Sequence, residues 1–213
     1  MQDQPSVALL ELYGTAASRT ARVLWALEEL GLDYVHHSVN HRTGENRSEA
    51  FLAISPMGKI PVLKTGSDLI RQSMAINCHL ACKFGSGVLL AADGSEGASG
   101  LEWSFWAATE VEPHSYFRLT ELAKPSEERD RNALGRGDAL LEDALDYLED
   151  ALAARDYLLG GNFSLADLNA VGPLEYLQRT SFDFSPYPQI TAWLARCQER
   201  SAYIKVAAMK NIG

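Results

Sequence analysis

Apolar residues recur in this chain with two different periods, and the change of period divides it. Val7-Ala8-Leu9-Leu10-Glu11-Leu12-Tyr13 is a short apolar run closed by Gly14, which predicts a buried strand. Val23, Ala26, Leu27 and Leu30 then fall at i, i+3, i+4 and i+7, the stripe of a helix that Gly31 ends. Tyr34-Val35-His36-His37-Ser38-Val39 reads as a second strand, so the first three elements make a parallel, right-handed βαβ unit. Residues 40–47 are polar and predict a loop, and a short helical stretch follows over Ser48–Ile54. Pro56, Gly58 and Pro61 punctuate the next segment. Pro61-Val62-Leu63-Lys64 and Leu69-Ile70-Arg71, joined through Thr65-Gly66-Ser67-Asp68, predict a hairpin. From Ser73 to about Phe84 the pattern is helical again.

Five glycines (85, 87, 94, 97 and 100) and several serines over residues 85–100 are the one composition shift that looks like a linker. Beyond it only the helical period appears. Leu141, Leu145, Leu148 and Leu152 form one stripe, and Ile190, Trp193, Leu194 and Cys197 form another. Ser164 and Asp167 stand as S-x-x-D ahead of an apolar run, with Phe163 as the staple residue of a capping box. The expected layout is an α/β domain over 1–84, a linker over 85–100 and an all-helical domain over 101–213.

Composition narrows the partners. The 213 residues carry 19 Lys plus Arg against 28 Asp plus Glu, a net charge of −9 without a basic block, which disfavours nucleic acid and anionic membranes. Cys78, Cys82 and Cys197 cannot all pair within one chain, and Met1–Ser6 shows neither a basic nor an apolar leader, so a reducing, cytoplasmic setting is expected. The three cysteines lie on apolar helical faces and are expected to be buried thiols. Neither a set of metal-ligand spacings nor a G-x-G-x-x-G or P-loop motif is present, and no metal is expected.

Against this background several strings stand out. Ser18-Arg19-Thr20-Ala21-Arg22-Val23-Leu24-Trp25-Ala26-Leu27-Glu28-Glu29-Leu30-Gly31-Leu32-Asp33-Tyr34 resembles the first helix of bacterial cytosolic glutathione S-transferases of the serine type, theta- or zeta-like. Ser55–Leu63, Gln72–Ile76, Tyr157–Leu168 and Tyr187–Leu194 continue the resemblance in family order over nearly the whole chain. The resemblance implies a thioredoxin-like N-terminal domain, βαβαββα, that holds glutathione as cosubstrate, and a helical C-terminal domain that shapes the second pocket. It also implies a homodimer, a role in detoxification, and transfer of glutathione to a small hydrophobic electrophile. A glutathione-dependent isomerase or peroxidase, or a non-catalytic binding module, are the alternatives.

The chemistry asks for a group that favours the thiolate over the thiol, because only the thiolate is a good nucleophile. A hydroxyl at a helix N-terminus can do this. Ser18, at the junction of the first strand and helix, is the expected catalytic residue; an ordinary N-cap role needs the same place. Thr15 and Tyr13 are rivals, and Ala17 stands where some serine members carry the working hydroxyl. By resemblance, Pro61 is cis and Ile60 pairs its backbone with the cysteinyl unit of glutathione, Gln72 and Ser73 hold the γ-glutamyl end, and Lys59 reaches the glycyl carboxylate, with His41 and Arg42 nearby. Many members carry Glu at the place of Gln72. Trp103, Trp106, His114, Tyr116 and Phe117 crowd the first helix of the second domain, where they either line a pocket or pack as core.

Overall fold

The computed structural model describes residues 9–85, 89 and 95–210. The expected start of the first strand at Val7 and Ala8, the segment Met1–Ser6 and half of the expected linker lie outside the described residues. Two units are distinguished. One takes in the chain up to Phe84 together with the segment from Ser201 onward, and the other runs from Gly85 to Arg200.

The first unit is built on a four-stranded sheet in the order β2-β1-β3-β4. β1 (Leu10–Tyr13) runs parallel to β2 (Tyr34–His37) and antiparallel to β3 (Val62–Thr65), and β4 (Asp68–Arg71) closes the hairpin. β1 is not the continuously buried run its composition predicts: Leu10 and Leu12 are buried and the alternate Glu11 and Tyr13 are half-buried, the period-2 pattern of a sheet with two unequal faces. α1 (Thr20–Glu29) is buried along every residue from Thr20 to Leu27, and α2 (Glu49–Ile54) starts at Ser48, whose hydroxyl accepts from the Phe51 N–H. α3 (Ser73–Phe84) packs on α1 through a stripe that includes Ile76, Leu80 and Ala81. These elements give the thioredoxin-like order that the sequence predicts.

The last helix, α9 (Ser201–Lys210), groups with the sheet rather than with the helical unit expected over 101–213, because its own contacts are with α1. Trp25 and Tyr203 meet edge to face at 5.1 Å, and the Lys205 ammonium lies 2.7 Å from a Glu28 carboxylate oxygen.

The second unit is helical: α4 (Ser95–Trp106), a wide π turn over Ala107–Val111, α5 (Glu112–Leu122), α6 (Arg131–Leu152), α7 (Leu165–Gln178) and α8 (Pro188–Gln198). α4 already begins inside the expected linker. Gly100 is buried there, and its carbonyl accepts from Ser104, whose hydroxyl in turn accepts from Asn169 of α7 at 2.8 Å, so the small residues that suggested a loop serve close helix packing. α7 is buried on nearly all sides and is the centre of this unit. The leucine stripe of α6 and the Ile190–Cys197 stripe of α8 are buried as their periods predict.

The capping box at the start of α7 is larger than its motif suggests. Asp167 is fully buried, and its carboxylate accepts from the Ser164 N–H at 2.9 Å, the Ser164 hydroxyl at 2.7 Å, the Leu158 N–H at 2.9 Å and the Trp193 indole at 2.8 Å. Burial raises its pKa, and the four donors work against that rise. One carboxylate thus ties the α6–α7 loop, the first turn of α7 and α8 together. A cap alone is worth about 0.5–2 kcal/mol, but removing Asp167 orphans several buried donors at once. Asp167→Ala is therefore expected to lose at least about 3 kcal/mol of stability, and Asp167→Asn, which keeps one acceptor oxygen, less. Denaturant titration of both variants measures this; a loss of under 1 kcal/mol for the alanine variant (about one lost cap) rejects the account.

Candidate functional site

The register of the sheet decides where the site is. Tyr13 pairs with His37 on one side and with Val62 on the other, and Val62 pairs with Arg71. Gly14, the loop that follows β2, the Ile60–Pro61 step and Gln72–Ser73 are the next residues beyond those pairs. All leave the sheet at the same end.

Gly14 opens the β1–α1 turn at φ +140°, donates its N–H to His37 O at 3.0 Å, and accepts at its carbonyl from the His36 ring Nε2 at 2.7 Å. A Cβ on it would lie 2.2 Å from Thr20 Oγ1 and 3.1 Å from Ile60 Cβ, so the turn, the start of α1 and Ile60 are in close contact. Within the turn, the Ser18 hydroxyl donates to Thr15 O at 2.7 Å, accepts from Thr20 N–H at 3.2 Å and lies 3.0 Å from the buried Thr20 hydroxyl. The N-cap position of α1 is Arg19, without a side-chain cap bond, so Ser18 is not the ordinary N-cap; it stands one residue earlier, half-buried, and its oxygen meets the N–H of the first helical residue.

The rivals are differently occupied. Thr15 is buried and serves as the turn's acceptor. Tyr13 points its hydroxyl at Glu11, 3.1 Å away, and stacks on His37. Glu11 also meets Lys64 at 2.7 Å and His37 at 3.0 Å, and Lys64, His37 and Tyr13 in that order hold its carboxyl down to about 2. Burial first and this neighbouring carboxylate second raise the Tyr13 phenol, so it keeps its proton, and that proton is already donated to Glu11. Ala17 is exposed and has no hydroxyl.

The Ile60–Pro61 bond is cis. The loop before it is tied down by polar side chains that the sequence analysis did not single out. Ser55 is buried, donates to Lys59 O at 2.8 Å and accepts from Lys59 N–H at 3.2 Å. Asn46 donates to Gly58 O at 2.7 Å, and Arg71 makes two bonds to Ile54 O. Gly58 has φ +62°, and a Cβ there would lie 2.9 Å from both Arg47 Nη1 and Asn46 O. Asn46 carries no signal of this in the sequence, where it is one of several polar residues of the stretch 40–47. Lys59 itself is exposed, its ammonium free of the loop's own bonds, and Ile60 is half-buried.

Gln72 is exposed and held at φ +72°, a conformation rare for residues with a side chain. Ser73 begins α3 and is buried, and the Ile76 N–H bonds back to Gln72 O at 2.9 Å. A left-handed residue followed by a right-handed one turns successive N–H groups toward one side, and with the helix N-terminus this makes an anion-binding concavity. His41 and Arg42 are exposed in the loop after β2, which Glu45 organises by accepting from Asn40 N–H at 2.8 Å and Thr43 at 3.1 Å.

In the helical unit, Trp103 is buried and lies 5.1 Å from Trp106 and 5.3 Å from Tyr147. Trp103 and Tyr147 wall a cavity of about 580 Å³ together with Ser99, Glu102, Arg155 and Leu159. Tyr116 packs on Tyr176, while His114 and Phe117 are half-buried on α5. Among the described residues no group of three or more His, Cys, Asp or Glu is placed to hold a metal ion. The expectation that all three cysteines are buried is corrected: Cys197 is buried, Cys78 is half-buried and Cys82 is exposed, because the apolar stripe of α3 passes through Ile76, Leu80 and Ala81 and leaves Cys82 on the outer face.

The backbone at Gln72 yields a direct test. Gln72→Gly is expected to fold with stability within about 1 kcal/mol of the parent, and Gln72→Val to lose about 1–3 kcal/mol, since only the glycine adopts φ +72° without strain. Equal melting temperatures for the two variants overturn this.

Comparison with known proteins agrees with the geometry. Residues 18–82 match the glutathione S-transferase N-terminal domain model, and residues 114–201 match the C-terminal domain model. Glutathione S-transferase hmp2 of Hypomyces subiculosus is 30% identical over 94% of this chain and 98% of its own length, and glutathione S-transferase 3 of Zea mays is 31% identical over 95% of each. Glutathione transferase F7 of Populus trichocarpa is a solved structure at 30% identity, 95% and 100% coverage and TM-score 0.86. The theta-class enzyme of Xanthomonas axonopodis pv. citri, solved with glutathione bound, is at 26% identity, 93% and 96% coverage and TM-score 0.84. The bacterial theta- or zeta-like placement is not supported by relatives that are mainly plant and fungal, since a helix-start motif shared across serine-type members does not separate their classes. With both domain models matched in order, and a relative 30% identical along 98% of its length, the chain belongs to the glutathione S-transferase family.

Proposed function

We propose that this protein is a glutathione transferase that binds glutathione along the sheet end described above and uses Ser18 to stabilise its thiolate for attack on a small hydrophobic electrophile. The observation that carries the reading is the convergence of three unlike elements at one end of the sheet: a helix start whose first N–H meets the Ser18 hydroxyl, the backbone of Ile60 before a cis proline, and the left-handed Gln72 ahead of the α3 N-terminus. Each matches one part of a γ-glutamyl-cysteinyl-glycine ligand. The Ile60 N–H and C=O suit an extended cysteinyl backbone, in the manner of strand addition. Ser73, the first turn of α3 and the Gln72 turn suit the γ-glutamyl carboxylate, while the Gln72 amide offers its oxygen to the ammonium without a charge. Lys59, exposed beside Ile60, suits the glycyl carboxylate.

An unperturbed thiol has a pKa of about 8.5, so at neutral pH it is only a few per cent ionised. Donation from Ser18 favours the thiolate, whose lone pair forms a bond to the electrophilic carbon as the leaving group departs or the double bond accepts the electrons. Lowering the thiol pKa by two units corresponds to about 2.7 kcal/mol. Names of relatives specify transfer, and nothing in the site favours the isomerase, peroxidase or non-catalytic readings.

The protein is further proposed to act in the cytoplasm as a homodimer. Its three cysteines are free, as expected in a reducing compartment, and among the described residues no helix is long and apolar enough to cross a membrane. Leu101 and Phe105 on α4, and Leu140 and Tyr147 on α6, are large apolar side chains left exposed, of the kind that a second subunit covers.

Titration calorimetry with reduced glutathione tests the ligand, with binding expected in the micromolar to low-millimolar range; no binding at several millimolar rejects it. Ser18→Ala is expected to lower kcat/KM toward an activated aryl halide about 100-fold or more and to raise the pKa of bound glutathione by about two units. Because the same change removes the bonds to Thr15 O and Thr20 N–H that hold the turn, activity is expressed per folded molecule, and Ser18→Thr, which keeps the hydroxyl, should recover most of it. Unchanged turnover and thiol pKa in Ser18→Ala reject the role of Ser18.

A further inference from the structure

Helix α3 carries two thiols that the proposed reaction does not use. Cys78 and Cys82 are i and i+4, so their Cβ atoms stand one above the other on one face, about 5–6 Å apart. Cys82 is exposed and Cys78 half-buried beside it, so an approaching reagent meets Cys82 first and Cys78 next. Cys197, fully buried in α8 of the other unit, is not part of this pair.

We propose that Cys78 and Cys82 form a bidentate site for thiophilic metal or metalloid electrophiles, with trivalent arsenic compounds as the ligand class best matched. The spacing discriminates between the possible fates of two thiols. A disulfide needs Cβ atoms at about 3.5–4.5 Å, closer than an undistorted helix turn brings them. A single atom bridging two sulfurs adds two bonds to the span and accepts the wider spacing without unwinding α3. Protonation points the same way. Burial first, and the neighbouring Cys82 second, hold the Cys78 thiol up at about 11, so the pair resists accumulating thiolate charge. The bis-thiolate product of an organoarsenical is neutral and escapes that cost. For phenylarsine oxide, two As–S bonds form, the arsenic–oxygen bond breaks, and the two thiol protons leave with the oxygen as water; nothing is oxidised or reduced.

This site needs no glutathione on the sheet edge, so it stands or falls separately from the proposed reaction. The experiment is intact-mass analysis of the folded, reduced protein after phenylarsine oxide, followed by a challenge with excess monothiol. The parent and Cys197→Ser are expected to keep one phenylarsenic group, lost only to a dithiol. Cys78→Ser and Cys82→Ser should lose it to the monothiol, with affinity lower by about 100-fold or more, because the second bond is no longer intramolecular. The adduct should also raise the melting temperature of the parent and not of the Cys82→Ser variant, since it bridges one turn of a helix. An adduct on the parent that the monothiol strips as easily as from the single-cysteine variants overturns the proposal. So does an adduct that survives in Cys82→Ser. Because Cys82 is exposed, Cys82→Ser keeps this test independent of folding, and circular dichroism of each variant checks α3.

Discussion

The strand register is the constraint on which the candidate site depends. Tyr13 opposite both His37 and Val62, and Val62 opposite Arg71, leave the sheet's chain ends no choice of side. A slip of one residue in β3 would turn Val62 and Leu63, both fully buried, each to the face it does not now occupy and would carry Ile60 away from Gly14. The burial of the hydrophobic residues in β1 and β3 therefore also sets the positions of the polar ones. No single loop builds the site; the core fixes the distance between three loops that are far apart in sequence.

Each of those loops is then made stiff by its own polar atoms. Ser18 and Thr15 close the first turn, Ser55 and Asn46 hold the second, and the Ile76 bond to Gln72 holds the third. Such side chain to backbone bonds compete with regular structure and so belong where a strand must turn sharply into a helix. They also mean that the backbone groups offered to a ligand are ordered before it arrives, which reduces the entropy cost of binding. Asp167 does the same in the helical unit with no link to chemistry: it orders a loop, a helix start and the Trp193 ring by accepting four bonds.

How much of this was legible follows from what a residue pattern encodes. The stripes of α1, α6 and α8, the hairpin and the start of α3 at Ser73 are periods of burial, and burial is what hydrophobic spacing reports. The direction of a single polar side chain is not. Tyr13 faces Glu11 because both stand on the same side of β1, an alternation that the apolar run Leu9-Leu10 obscured. The positive φ of Gln72 left no trace, because the residue type gives no hint of it. Ser95 to Gly100 read as a linker since small residues mark both loops and close helix contacts, and only the buried Gly100 tells which. Cys82 was misplaced because one turn of α3 carries both an inward and an outward position among weakly polar residues.

The bond that Ser18 accepts at the start of α1 and the donation proposed for it are compatible in one hydroxyl. Its hydroxyl proton is held by the Thr15 carbonyl at 2.7 Å while its oxygen accepts from Thr20 N–H. To serve a sulfur, the proton must leave a neutral acceptor for another. A thiol sulfur is a weak acceptor and does not compete with a carbonyl, whereas a thiolate offers a charge-assisted bond, worth about 1.5–3 kcal/mol against about 0.5–1.5 for the neutral one. The exchange is thus favourable only once the sulfur is ionised. A donor that responds to the charged form alone lowers the pKa of the thiol without strengthening the binding of the thiol itself, and the bond that the oxygen accepts from Thr20 N–H keeps the serine in place during the exchange.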